Sequence, residues 1–177
     1  SGVAAANLGS GSRTIDSVFH TNTADAAKDL KGEALDNLVH ILRPVRLIVI
    51  DEISTVGAAQ FAIMGRRLQQ VGRVLWRERF RREPPDDLGT FGGFAIFIMG
   101  DFAQLPPVLC SSLLDGAPLI EGMQSGLRFL ALTGRKMLSE FETVLRLRRI
   151  HRQKSADPYK ESTMRLRDAA QTQEDHE

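Results

Sequence analysis

Two adjacent acids, Asp51 and Glu52, close an apolar run in LIVIDEISTV (residues 47–56), and a third, Asp101, closes another in FIMGDFAQLPPV (residues 97–108). Taking a charge out of water is costly unless it is paired, hydrogen-bonded or holding a metal. Carboxylates at the mouth of a hydrophobic strand therefore need a cation or a water to act on. Oxygen-rich positions of this kind suit Mg²⁺, which keeps several waters and takes one or two carboxylates plus substrate phosphates. A plainer alternative stays open, in which Asp51 and Glu52 cap the helix that follows, since acids favour helix N-termini. Gln104 lies between the second strand end and the rigid Pro106-Pro107 turn, where a polar amide is well placed to sense a phosphate.

The elements that must position these groups are legible from periodicity. VRLIVI (45–50) and FAIFIM (94–99) are apolar continuously rather than alternately, which predicts strands buried on both faces of a parallel sheet. Between them Phe61, Met64, Leu68, Val71 and Leu75 recur at helical steps, with Arg66, Arg67, Gln70 and Arg73 assigned to the opposite, solvated side. Strand, helix, strand is a βαβ unit, so the expected class is α/β. In open α/β sheets ligands sit beyond the carboxyl ends of the strands. If the two strands are neighbours, three carboxylates converge there, and the run closed by Asp-Glu takes the shape of a Walker B element. In that element the Asp holds hydrated metal and the Glu orients or deprotonates the attacking water. Residues 32–43 have helical spacing at Leu35, Leu38 and Leu42, residues 77–93 read as a charged surface loop, and ETVLRLRR (142–149) is a third strand candidate. Asp157-Pro158 marks a helix start, with Tyr159, Thr163, Leu166 and Ala170 on one face.

Composition excludes several classes. The 177 residues, 42% hydrophobic and 25% charged, fit one ordinary globular domain, and a net charge of +1 demands no strongly acidic or basic partner. The arginines cluster between positions 66 and 82; with aromatics sparse there (Trp76, Phe80), the stretch reads as a solvated face rather than a nucleic-acid surface. A lone cysteine, Cys110, rules out an internal disulfide framework and reads as a small buried residue of a reducing compartment. No apolar run approaches the roughly 20 residues of a membrane helix. The opening SGVAAANLGSGSRT has neither an initiator Met nor a signal-peptide charge pattern, so a fragment of a longer chain is expected. The four histidines show no metal-ligand spacing.

LIVIDEISTV followed by FIMGDFAQLPPV resembles motifs II and III of the Pif-type (petite integration frequency) DNA helicases, relatives of RecD within helicase superfamily one. SGVAAANLGSGSRTIDSVF (1–19) is similar to their motif Ia, LRLRRIHRQ (145–153) to motif IV, and MRLRDAAQT (164–172) to the helix that opens their next domain. The resemblance implies a RecA-like P-loop NTPase domain with a parallel sheet, truncated at its N-terminus, over residues 1–154, with 155–177 opening the second helicase domain. It implies ATP and Mg²⁺ as cofactors and single-stranded DNA as partner, with no membrane. Asp51 would coordinate Mg²⁺ through water and Glu52 would activate the hydrolytic water. Gln104 would contact the γ-phosphate, Arg152 would act as an arginine finger, and Asp101 would orient its neighbours. Ser1, Gly2, Thr14 and Ser17 would lie along the DNA track. The implied activity is ATP-driven 5′-to-3′ unwinding in DNA repair, recombination and telomere maintenance, in an intracellular setting, nucleus or mitochondrion.

Two departures qualify the resemblance. Asp16 stands where the family usually has His, and a carboxylate there faces DNA phosphate unfavourably. No G-x-x-x-x-G-K-[ST] occurs among the 177 residues, and TGRK (133–136) lacks the spacing to serve. These residues alone are therefore expected to be inactive, with a bare sheet edge that invites self-association. Two other readings remain: a non-catalytic or transposon-derived remnant, and a P-loop ATPase with a substrate other than DNA.

Overall fold

The computed structural model describes residues 12–21, 26–114, 119 and 121–147. The elements run α1 (Ile15–Phe19), α2 (Glu33–Leu42), β1 (Leu47–Ile50), a 3₁₀ turn (Ile53–Thr55), α3 (Ala58–Phe80), β2 (Ala95–Ile98) and α4 (Ser125–Ser139). The chain up to Phe141 forms one compact unit, and Glu142 onward belongs to a second. Among the described residues no helix is long and apolar enough to cross a membrane.

The predicted βαβ unit is present: β1 and β2 pair in parallel, Leu47 opposite Ala95 and Ile50 opposite Ile98, with α3 as the crossover. Burial of the strands differs from the expectation. Ile48, Ile50, Ile96 and Ile98 face the core, while Leu47 (54% exposed), Val49 (45%) and Phe97 (44%) face outward. Side chains alternate across a strand. A continuous apolar run therefore fills both faces only when both are covered, and among the described residues one face is.

The long crossover helix is built from strong helix formers, Ala, Gln, Met, Leu, Arg and Glu. It opens at Gly57, whose N–H donates to the Gln60 Oε1 at 3.3 Å, and it ends at Arg81, in a left-handed conformation with its N–H bonded to the Arg77 carbonyl at 2.9 Å. Phe61, Met64, Leu68 and Val71 are fully buried as the spacing predicted, each contributing roughly 1.5–3 kcal/mol. The helix also reaches further than expected, because residues 77–80, read as loop, form its last turn. Its most extensive partner is α4, which the sequence reading had not picked out.

Arg67 overturns its assignment to the solvated side. It is 2% exposed, and its guanidinium donates to the carbonyls of Ala26 (2.9 Å) and Lys28, clamping the segment that leads to α2. Burial pushes its pKa down. Arg66 grips the same segment from outside through Asp29 (2.7 Å) and the Ala27 carbonyl (2.6 Å). The turn before β2 lies directly on α3: a Cβ at Gly72 would stand 2.2 Å from the Gly92 carbonyl oxygen, and one at Gly92 would stand 2.3 Å from that of Leu68. The third strand expected at 142–149 does not form over 142–147, where the chain is irregular, and Arg148 and Arg149 lie outside the described residues. Exposed Val144, Leu145 and Leu147 have no pairing strand among the described residues, which a strand needs to satisfy its backbone. The helix expected from Asp157-Pro158 also lies outside the described residues.

Candidate nucleotide-binding rim

Parallel pairing puts the carboxyl ends of β1 and β2 on the same rim, and Asp51, Glu52, Asp101 and Gln104 follow those ends directly. The ladder continues past the strands: Met99 N–H donates to the Ile50 carbonyl at 2.7 Å, and Ile53 N–H to the Met99 carbonyl at 3.0 Å. Gly100, at φ 145°, is packed beneath the acid turn. A Cβ there would lie 2.8 Å from the Ile53 nitrogen, so no side chain fits.

The acid turn itself is tightly held. Glu52 adopts φ 56° and ψ 44°, a left-handed conformation that L-residues avoid, and its N–H donates to the Asp51 Oδ1 at 2.9 Å. The Thr55 hydroxyl and N–H both donate to the Glu52 carbonyl at 2.9 Å, locking the 3₁₀ turn beneath it. Across the rim, Asp101 makes an equivalent turn, accepting Ala103 N–H at its Oδ1 (3.1 Å) and Gln104 N–H at its carbonyl (3.0 Å).

A cleft of about 430 Å³ opens between the two turns, lined by Glu52, Ser54, Thr55, Ala103, Gln104, Leu105 and Pro106. Glu52 and Gln104 thus meet in one cleft. Asp51 and Asp101 belong to the same rim, and one oxygen of each accepts an N–H of its own turn; of the three carboxylates expected to converge, Glu52 lines the cleft. Among the described residues no group of three or more His, Cys, Asp or Glu side chains could hold a metal ion. A protein cage is not what this donor set fits. The oxygens that line the cleft, from Glu52, Ser54, Thr55 and Gln104, fit a hydrated Mg²⁺ that takes most of its ligands from waters and phosphate oxygens.

Thr14 and Ser17 lie at the start of α1. The Thr14 Oγ1 accepts Ser17 N–H at 3.2 Å as an N-cap, and the Ser17 hydroxyl donates to the Thr14 carbonyl at 2.9 Å. Asp16 is engaged by the protein itself: its Oδ1 accepts from Gln60 Nε2 at 2.7 Å and from the Thr21 hydroxyl. That link ties α1 to the first turn of α3 and satisfies one Asp16 carboxylate oxygen within the protein. No spacing signal relates residues 16 and 60, and sequence reasoning missed the link. Ser54, Thr55 and Leu105 were also missed as lining residues, although they adjoin the motifs. Ser1, Gly2 and Arg152 lie outside the described residues.

Cys110 is exposed rather than buried. The segment after Pro106-Pro107 stays at the surface until Ser111, whose carbonyl accepts Ala58 N–H at 2.8 Å and returns the loop to the start of α3.

The family model for PIF1-like helicase matches residues 1–172. The ATP-dependent DNA helicase Pif1 of Campylobacter jejuni is 36% identical over 77 residues, which is 44% of this chain and 13% of that protein. The chain therefore spans a small part of the length of the curated relative it matches. No solved structure matches. A match that extends from the first residue almost to the last, through both strand-end motifs in order, makes this chain a member of the PIF1-like helicase family.

Proposed function

We propose that these residues supply the hydrolytic rim of an ATP-driven DNA helicase, in a RecA-like domain that couples ATP hydrolysis to 5′-to-3′ movement on single-stranded DNA. The observation that carries the reading is that Glu52 and Gln104, from different strand ends, line one cleft beyond the carboxyl rim of a parallel pair. Magnesium bound with ATP supplies charge neutralisation on the phosphates. Asp51, on the rim beside the cleft, would hold that ion through water. Glu52, presented into the cleft by its left-handed backbone, accepts the proton of the attacking water. Gln104 donates from its amide to the terminal phosphate, and its loss is transmitted along the Leu105–Pro107 turn. Arg152 stabilises the charge that develops on the transferred phosphoryl group. Ser1, Gly2, Thr14 and Ser17 contact the DNA backbone, which fixes position without reading sequence.

Membership of the PIF1-like helicase family and the likeness to the ATP-dependent DNA helicase of Campylobacter support the ATP and DNA components. The 5′-to-3′ polarity, the roles in repair, recombination and telomere maintenance, and a nuclear or mitochondrial setting are our extension from the resemblance. With no phosphate-cradling Gly-Lys-Ser/Thr loop among these 177 residues, they should hydrolyse ATP negligibly by themselves.

The test uses the whole gene product. Glu52→Gln should abolish DNA-stimulated ATP turnover while nucleotide binding is retained, and Gln104→Ala should uncouple turnover from unwinding. Unchanged turnover in Glu52→Gln, measured by phosphate release, would refute the reading.

A further inference from the structure

The far end of α3 holds a feature that the hydrolytic rim does not use. Trp76 and Phe80, one turn apart, stack with ring centroids 4.4 Å apart at 45°. Arg79 stands over Phe80 at 5.2 Å, and Arg82 lies 5.7 Å from the Trp76 ring and 5.9 Å from that of Phe80. Phe80 is 43% exposed, and Arg79, Arg81 and Arg82 are exposed around it. The carboxylates that flank them in sequence are committed elsewhere: Glu78 accepts from both Arg43 terminal nitrogens, one at 3.0 Å, and Glu83 is held by Arg77 at 2.8–2.9 Å. The result is an aromatic surface with a cationic border, presented where Arg81 turns the chain out of the helix.

We propose that this end of α3 is a second contact for single-stranded DNA, with the Phe80–Trp76 pair receiving an unpaired base and Arg79, Arg81 and Arg82 meeting the adjoining phosphates. Each part of the surface matches one part of the ligand. A base can cover the half-exposed Phe80 ring, and phosphates neutralise arginines that repel one another. Stacking on aromatic rings beside a cationic track is how sequence-tolerant strand binding works, and guanidinium planes add cation–π attraction. A duplex satisfies the charges but not the rings, because its base faces are already stacked. At about 1.5 Å of rise per residue, α3 places the platform roughly 30 Å from the acid turn at its other end. It is therefore separate from Thr14 and Ser17. The proposal goes beyond the helicase reading, which uses only the rim and the DNA track that includes Thr14 and Ser17.

The test is binding of the 177-residue chain to fluorescein-labelled oligothymidylate and to a duplex of equal length, by anisotropy across a salt series. Phe80→Ala should weaken single-strand binding about fivefold or more, from the loss of one stacked base, and leave duplex binding within about twofold. Arg79→Ala with Arg82→Ala should reduce the steepness of the salt dependence by about 1.4 for single strands, at about 0.7 per phosphate contact. Circular dichroism of each variant confirms folding, which substitution at exposed sites leaves intact. Thr14→Ala with Ser17→Ala reports on the DNA track separately. If that pair weakens binding while Phe80→Ala does not, the platform is refuted and the helicase reading stands. Equal losses on single strand and duplex in Phe80→Ala, or no measurable binding of oligothymidylate by the unmodified chain, would also overturn the proposal.

Discussion

Glu52 is held at φ 56° and ψ 44°, and this backbone conformation can be tested separately from the carboxylate it presents. An L-residue in the left-handed region loses about 1–2 kcal/mol to the contact of its Cβ with the following carbonyl oxygen. Glycine avoids that contact but gives back about 0.5–1 kcal/mol through its greater freedom in the unfolded chain. Comparing Glu52→Gly with Glu52→Ala removes the carboxylate from both, so the difference isolates the backbone. Glu52→Gly should be the more stable of the two by about 0.5–1 kcal/mol. For a urea dependence of about 1–3 kcal/mol per molar, that moves the unfolding midpoint upward by roughly 0.2–1 M. Urea titration followed by circular dichroism at 222 nm measures it directly. The reasoning fails if Glu52→Gly unfolds at or below the midpoint of Glu52→Ala. A positive result shows that the acid turn stores strain at the position where we propose hydrolysis occurs, as strained backbones at functional sites do.

Other outcomes follow from the same geometry. Arg67→Lys keeps the charge but loses the fork that spans the Ala26 and Lys28 carbonyls; leaving one of them unpaired and buried should cost about 1–3 kcal/mol in urea unfolding at neutral pH. The Arg43 guanidinium holds the Glu78 carboxyl below its ordinary value of 4.5, so their pairing stabilises the fold above about that pH and is lost as pH falls through the lowered value. Glu78→Gln should accordingly be slightly less stable than the unmodified chain at pH 7 and indistinguishable from it at strongly acidic pH. Added salt should shrink the difference at pH 7, because the pair is exposed.

Much of the frame was legible because local chemistry dictates it. The two apolar runs became the paired strands, the 3.6-residue spacing from Phe61 to Val71 marked the buried stripe of α3, and both acid motifs fell on one rim. What stayed hidden depends on contacts between distant residues. Arg67 looked like a solvated charge because its stabilisation comes from carbonyls some forty positions upstream. Helix α4 was missed although Leu127, Leu130, Ala131 and Leu138 have helical spacing, since Gly126 and Gly134 argue against a helix by propensity. Gly134 is required for a different reason: a Cβ there would stand 1.9 Å from the Ala58 carbonyl, so its absence lets the two helices touch. In the candidate site, motif spacing anticipated that Glu52 and Gln104 share a cleft, but not that an oxygen of Asp51 and one of Asp101 each accept an N–H of their own turn.

The seating of the turn at Gly92 against Gly72 has a mechanical consequence. One rod, α3, grips β2 before it begins and, through the Ser111 carbonyl, grips the loop that leaves it. Because that helix meets the chain on both sides of β2, the seat of the strand beside β1 is set by backbone contacts as well as by side chains. A side chain added at Gly72 or Gly92 should therefore unseat the strand and, with it, the rim that it carries.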